Sequence, residues 1–171
     1  MRVADPIEAL AAALGTEARP LWRGRLHQFA LFLFPPLFLV LVSFARSTEA
    51  KVVAVINGLG VCSMLAASAT YHRWVHTPTA RASWQRADHA MIFAAIAGSF
   101  TPVCVLAVPH WWGLPVLGLM WAAAIAGGAM KFTNWKHRRV VGGVLYIGLG
   151  WASLVVIPAV WQSCGALPVL L

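Results

Sequence analysis

Acidic side chains are scarce in this sequence, which holds five Asp and Glu residues against 13 Lys and Arg. Only 11% of its residues are charged, whereas 60% are hydrophobic, and the mean hydropathy is +0.75. A soluble domain needs more polar residues than this to cover its surface. The composition therefore excludes an ordinary soluble globular protein and indicates a membrane protein.

Cysteine is also rare, with three residues that show no C-x-x-C spacing. Metal binding by cysteine is therefore not expected. Cys62 lies in the middle of an apolar segment, where a buried free thiol is the expected state. Cys104 and Cys164 both fall toward the same predicted membrane side and are compatible with a disulfide, which the sequence does not decide.

Long apolar runs take up most of the chain. Each is close to the length of about twenty residues with which a helix crosses a hydrocarbon core. The strands of a membrane barrel would alternate apolar and polar residues, and these segments do not. The sequence therefore predicts an all-α, polytopic bundle of transmembrane helices with five complete spans, at residues 27–45, 52–71, 88–108, 111–130 and 140–160.

Basic residues alternate between the two ends of these spans. Eleven of the 13 Lys and Arg fall before span one, between spans two and three, or between spans four and five, and two fall between spans one and two. Because Lys and Arg are enriched in cytoplasmic loops, the N-terminus and the loops 72–87 and 131–139 are predicted to be cytoplasmic.

The positions of the basic residues also indicate what the protein binds. A stripe that binds nucleic acid would not follow membrane sides, so no nucleic-acid partner is expected. The positive charge is expected to meet the headgroups of membrane lipids instead.

The two ends of the chain differ from the spans. Residues 1–26 are predicted to form a cytoplasmic segment with a short surface helix capped by Asp5, and residues 27–171 the transmembrane domain. Residues 162–165 are predicted to turn, after which 166–171 begin another apolar run. Six residues cannot cross a bilayer. An incomplete sixth span, from truncation or a frameshift, is the expected explanation.

Three polar residues stand out where spans two and three meet the cytoplasmic side. Ser68 and His72 are four residues apart and share one helix face. Asp88 begins span three, at the same membrane depth as His72. An imidazole, a carboxylate and a hydroxyl at one depth can hold a metal ion and its water. The ordinary alternatives are an N-cap for Asp88 and a solvated interfacial side chain for His72.

Two further patterns flank these residues. His76 follows His72 at the spacing of a metal-ligand pair, but Thr77 and Pro78 are expected to end the helix nearby. In span three, a stripe of small residues at 90, 94 and 98 predicts close approach of another helix.

At these positions the sequence resembles the hemolysin III family. Residues 68–73 (SATYHR) match its S-A-x-Y-H-R segment, and residues 86–102 (RADHAMIFAAIAGSFTP) match its R-x-D-H-A-x-I-F…I-A-G-T-Y-T-P segment. Residues 22–27 (WRGRLH) and 145–151 (LYIGLGW) look like its R-G-x-L-H start and its Y-x-x-x-G-W helix. Four matches in order, covering roughly residues 18–171, make the resemblance specific.

The resemblance implies the seven-helix fold of the progestin and adipoQ receptor superfamily, related to alkaline ceramidases. It implies Zn²⁺ near the cytoplasmic side, with His72 as a direct ligand, Asp88 holding the zinc-bound water and Ser68 assisting at the substrate. The family's two further histidines lie in an H-x-x-x-H on the seventh helix, and no histidine follows Trp161 in this chain. The metal site is therefore expected to be incomplete unless His27, His76 or a second subunit contributes.

Two functions follow from this resemblance. The first is the scaffold of a zinc-dependent lipid amide or ester hydrolase, with an unknown lipid as substrate. The alternative is a non-enzymatic membrane protein that perturbs bilayers, as a cytolysin does, or that senses lipids. The sequence does not indicate an oligomeric state.

Overall fold

The computed structural model describes residues 24–164, without the side chains of residues 139, 153 and 164. The predicted surface helix before residue 24 and the predicted sixth span at 166–171 lie outside this part of the chain. The described residues form six α-helices and one short π-helix. These are α1 Arg25–Phe44, α2 Thr48–Ala69, the π-helix Thr70–Trp74, α3 Pro78–Leu106, α4 His110–Phe132, α5 Arg138–Trp151 and α6 Ser153–Cys164.

Five helical segments between residues 24 and 164 are long and apolar enough to cross a membrane. The all-α, polytopic class predicted from the sequence is therefore confirmed. The segments are Arg25–Phe44, Thr48–Trp74, Pro78–Leu106, His110–Phe132 and Val140–Ser163.

The connection between spans two and three is much shorter than predicted. Helix α2 passes into the π-helix, which ends at Trp74, and α3 begins at Pro78 with Thr77 as its N-cap residue. Proline suits the first turn of a helix because its missing N–H would have no partner there. The predicted break at Thr77 and Pro78 is confirmed, so His76 does not continue the helix of His72.

Most of the predicted 72–87 loop is therefore the first part of α3. No glycine or proline lies between Pro78 and Asp88, so the helix extends through polar residues before its apolar stretch begins. Asp88 lies in the interior of α3. Interpreting it as an N-cap was wrong, because a cap must precede the first helical turn.

The fifth span consists of two helices, α5 and α6, which meet at Ala152. The amide of Ala152 donates to the carbonyl of Gly148, so the chain continues in nearly the same direction. Residues 162–164 were predicted to turn but are helical. The Ser163 hydroxyl donates to the carbonyl of Ala107 at 2.7 Å, which satisfies a polar group at the helix end without a turn.

Helix α3 packs against α2, α4 and α5, and small residues allow the closest approach. A Cβ at Gly60 of α2 would lie 2.8 Å from the carbonyl oxygen of Ala94, and one at Gly98 would lie 3.4 Å from Gly60 Cα. The predicted packing role of the stripe at 90, 94 and 98 is confirmed. Phe93 and Cys104 are fully buried in the core beside it, and Cys104 is a free thiol.

Contacts between helices define two ends of the bundle. At one end Gly24 lies against His72, and the Arg86 guanidinium donates to the carbonyl of Phe132. We call this the basic end, since eleven of the 13 Lys and Arg were assigned to its side. At the opposite end His110 lies 3.9 Å from Glu49. The chain thus crosses from end to end with each span.

Candidate functional site

The basic end brings together two polar side chains from different helices. His27 lies in the first turn of α1, and Ser68 lies near the end of α2 and is 2% exposed. The distance between His27 Nδ1 and Ser68 Oγ is 2.6 Å. This is a short hydrogen bond between residues far apart in sequence, in a partly buried setting.

A glycine next to this pair brings the two helices into contact. Gly24 has a φ of 77°, and a Cβ there would lie 2.5 Å from the Cβ of His72. Residues 24 and 27 lie about one turn apart on α1, as do 68 and 72 on the facing helical segment. Antiparallel packing therefore pairs Gly24 with His72 and His27 with Ser68.

His72 lies in the π-helix and not in α2. Its ring centroid is 4.5 Å from that of Tyr71, which is itself buried. π-Helical turns occur frequently at functional sites. The structure thus places two of the predicted site residues, Ser68 and His72, along one packed face at the basic end, and adds His27 to them.

Asp88 lies in the neighbouring helix with a side chain that is 14% exposed. Its carboxylate is 4.0 Å from His89 Nδ1, which is beyond hydrogen-bond distance, and it interacts electrostatically with the Tyr146 hydroxyl. Tyr146 donates to the backbone carbonyl of His89. Asp88 therefore lies where α3 meets α5. Its predicted juxtaposition with His72 stays a prediction.

Zinc is the metal that the resemblance implies for this end of the bundle. Among residues 24–164 no group of three or more His, Cys, Asp and Glu side chains is placed to hold a metal ion. A catalytic zinc ion normally takes three protein ligands and a water. The described residues alone do not fit a complete catalytic zinc site.

Some residues of the matched segments have a structural role. The Thr101 hydroxyl is buried, donates to the carbonyl of Ala97 at 2.9 Å and accepts from the indole of Trp121 at 3.1 Å. This joins α3 to α4. Thr101 thus contributes to packing, far from the basic end.

The contact of His27 with Ser68 was not predicted. The sequence predicted His27 as part of the matched segment 22–27 and as a substitute metal ligand. The signal was present in residues 22–27, because two antiparallel spans joined by a short connection bring the start of the first against the end of the second. The sequence does not show the register between the two helices, which places His27 opposite Ser68.

Comparison with known proteins agrees with the resemblance to the hemolysin III family. The family described as "Haemolysin-III related" matches residues 16–169. The chain is 24% identical over 135 residues to "Hemolysin-3" of Bacillus cereus, which covers 78% of this chain and 62% of that protein. It is 23% identical over 140 residues to "Hemolysin-3 homolog" of Bacillus subtilis (strain 168), covering 80% and 65%.

The matched part therefore spans a little under two thirds of the length of these two curated relatives. No solved structure matches the chain.

Proposed function

The chain belongs to the haemolysin-III related family, and from this we propose that it is the scaffold of a lipid amide or ester hydrolase in the bacterial inner membrane. We assign its N-terminus and basic end to the cytoplasm, since positive charge favours that side. The observation that carries the proposal is the 2.6 Å contact between His27 and Ser68, one helical turn from His72.

The Ser68 hydroxyl is hydrogen-bonded to His27, and this contact determines whether the hydroxyl can donate to a substrate. If His27 carries its proton on Nδ1, the imidazole donates and the Ser68 hydroxyl is free to donate to a carbonyl oxygen of the lipid. Such a donor stabilises the negative charge that develops on this oxygen during hydrolysis. We therefore propose that His27 positions Ser68 as an oxyanion donor.

Zinc is the cofactor we propose for this scaffold, with His72 as a ligand and Asp88 as the residue that holds water. When bound, zinc would supply a hydroxide nucleophile near neutral pH. Because the described residues do not complete its ligand set, further ligands have to come from elsewhere in the protein or from a second subunit.

Purified protein incubated with short-chain amide-linked and ester-linked lipids tests the proposal. We expect hydrolysis that Ser68→Ala, His72→Ala and Asp88→Ala each reduce by at least about tenfold, as for other residues in acid–base or oxyanion roles. Ser63→Ala is the matched control, since Ser63 donates only to the carbonyl of Gly60 on its own helix. Elemental analysis of the same samples measures zinc, and equal loading in all variants would contradict the assigned ligands.

The names of the two relatives favour a second candidate, a membrane protein that perturbs bilayers. Release of a dye from lipid vesicles distinguishes it from the hydrolase. Leakage that Ser68→Ala and His72→Ala leave unchanged, in the absence of lipid hydrolysis, would favour this second candidate.

A further inference from the structure

A cavity of about 460 Å³ opens at the basic end where α3, α4 and α5 meet. It is lined by four groups that carry or can carry positive charge and by one phenol. These are Arg86, His89, Lys131, Arg138 and Tyr146. Among the described residues that line it, none is acidic.

Lys131 is the residue that makes this cavity unusual. The sequence predicted it as the first residue of the cytoplasmic loop 131–139, but it lies in the last turn of α4 and is only 7% exposed. Its ammonium group lies 4.7 Å from the ring of Tyr146 and 5.9 Å from that of Phe93. Gly142 lies directly against the Lys131 Nζ atom, so that even one added methyl group would collide with it.

The Lys131 ammonium group has no anionic partner among the described residues. Of the two carboxylates in this part of the chain, Glu49 lies at the opposite end of the bundle, and Asp88, which lies beside His89, forms no ion pair with Lys131. The positive charge of Arg138 repels the Lys131 ammonium group. Aromatic rings offset only part of the cost of burying a charge.

The two arginines are oriented by backbone carbonyls and not by carboxylates. The Arg138 guanidinium donates to the carbonyl of Thr133 at 2.6 Å, and that of Arg86 donates to the carbonyl of Phe132 at 3.4 Å. Neither guanidinium forms an ion pair with a carboxylate of residues 24–164, and the carbonyl contacts orient both groups. Guanidinium and ammonium groups held in this way are suited to a phosphate.

A shallow apolar groove on the surface of α5 and α6 borders the cavity. The two share Tyr146, and the groove is lined further on by Ile147, Gly150, Trp151 and Leu154. A free phosphate would leave this groove unused, whereas a phospholipid has an acyl chain next to its phosphate. We propose that the cavity binds the phosphate of an anionic phospholipid, with an acyl chain along the groove.

Native mass spectrometry of the purified full chain in nonionic micelles tests this proposal. The lipids to compare are phosphatidylglycerol and phosphatidylcholine, which share a phosphate but differ in net charge. We expect the wild-type protein to retain phosphatidylglycerol preferentially. Lys131→Met should weaken this binding about tenfold or more, as expected for a lost charged hydrogen bond.

Two variants have matched controls. Lys136→Gln removes the same charge from an exposed residue outside the cavity and should have little effect. Gly142→Ala keeps every charge but displaces the Lys131 Nζ atom, so it should weaken binding, whereas Gly148→Ala on the same helix meets no atom within 4 Å and should not. Arg138→Gln replaces Lys131→Met if that variant fails to fold.

Equal weakening by Lys131→Met and Lys136→Gln, or equal retention of both lipids by the wild-type protein, would overturn the proposal. Calorimetry with inorganic phosphate tests whether the cavity binds free phosphate instead of a phospholipid. Phosphate binding as tight as that of phosphatidylglycerol, and equally sensitive to Lys131→Met, would assign the cavity to free phosphate and overturn the lipid assignment.

Discussion

The imidazole of His27 and the hydroxyl of Ser68 form a hydrogen bond that joins the first span to the second at the basic end. Helix α1 has no buried residues of its own. In a membrane the lipid is as apolar as the helix surface, so association depends on packing and on polar contacts. This hydrogen bond therefore has two functions, because it holds α1 in place and orients Ser68.

A double-mutant cycle measures the first of these functions. Ser68→Ala and His27→Ala should each lower the free energy of unfolding in detergent by about 1 kcal/mol or more, and the two effects should not add, because both remove the same hydrogen bond. Ser63→Ala serves as the control. Additive effects would show that the two side chains stabilise the protein independently.

Gly24→Ala tests the contact between α1 and His72. An alanine at a φ of 77° is strained, and its Cβ would lie 2.5 Å from that of His72. We expect a loss of about 2 to 4 kcal/mol from strain and overpacking together, measured by thermal unfolding. Gly118→Ala meets no atom within 4 Å and should leave stability nearly unchanged. Equal melting temperatures for the two variants would contradict the close approach.

The spans could be predicted from the sequence because length and apolar composition almost determine a helix in a membrane. Span one was predicted at 27–45 and lies at Arg25–Phe44. The start of span three was misplaced, since hydropathy marks where a helix enters hydrocarbon and not where it begins. Pro78 was the better signal, because it opens α3 well before Asp88.

The candidate site was predicted less completely for a physical reason. Ser68 and His72 share one helix, so their relation follows from helical periodicity. The partners of these residues depend on register between helices, and hydropathy carries no information on register. For the same reason the burial of Lys131 against Tyr146 and Phe93 at the end of α4 could not be predicted from hydropathy.

Gly60→Ala tests the packing of α2 on α3. The added Cβ would lie 2.8 Å from the carbonyl oxygen of Ala94, a backbone atom that cannot turn away. The helices would have to separate, at a cost of about 1 to 3 kcal/mol. Thermal unfolding in detergent measures this, with Gly148→Ala as the control. A Gly60→Ala protein as stable as Gly148→Ala would show that the two helices are not in close contact.

Labelling with a membrane-impermeant maleimide tests the orientation proposed above. In a background without Cys62, Cys104 and Cys164, a single cysteine is introduced at either end of the bundle. Trp111→Cys, at an 82% exposed position of the opposite end, should react in intact cells whose outer membrane has been made permeable. Lys136→Cys, at the basic end, should react only after the inner membrane is opened, because positive charge favours the cytoplasmic side. The reverse pattern would place the basic end outside the cytoplasm and would also place the proposed lipid cavity in the outer leaflet.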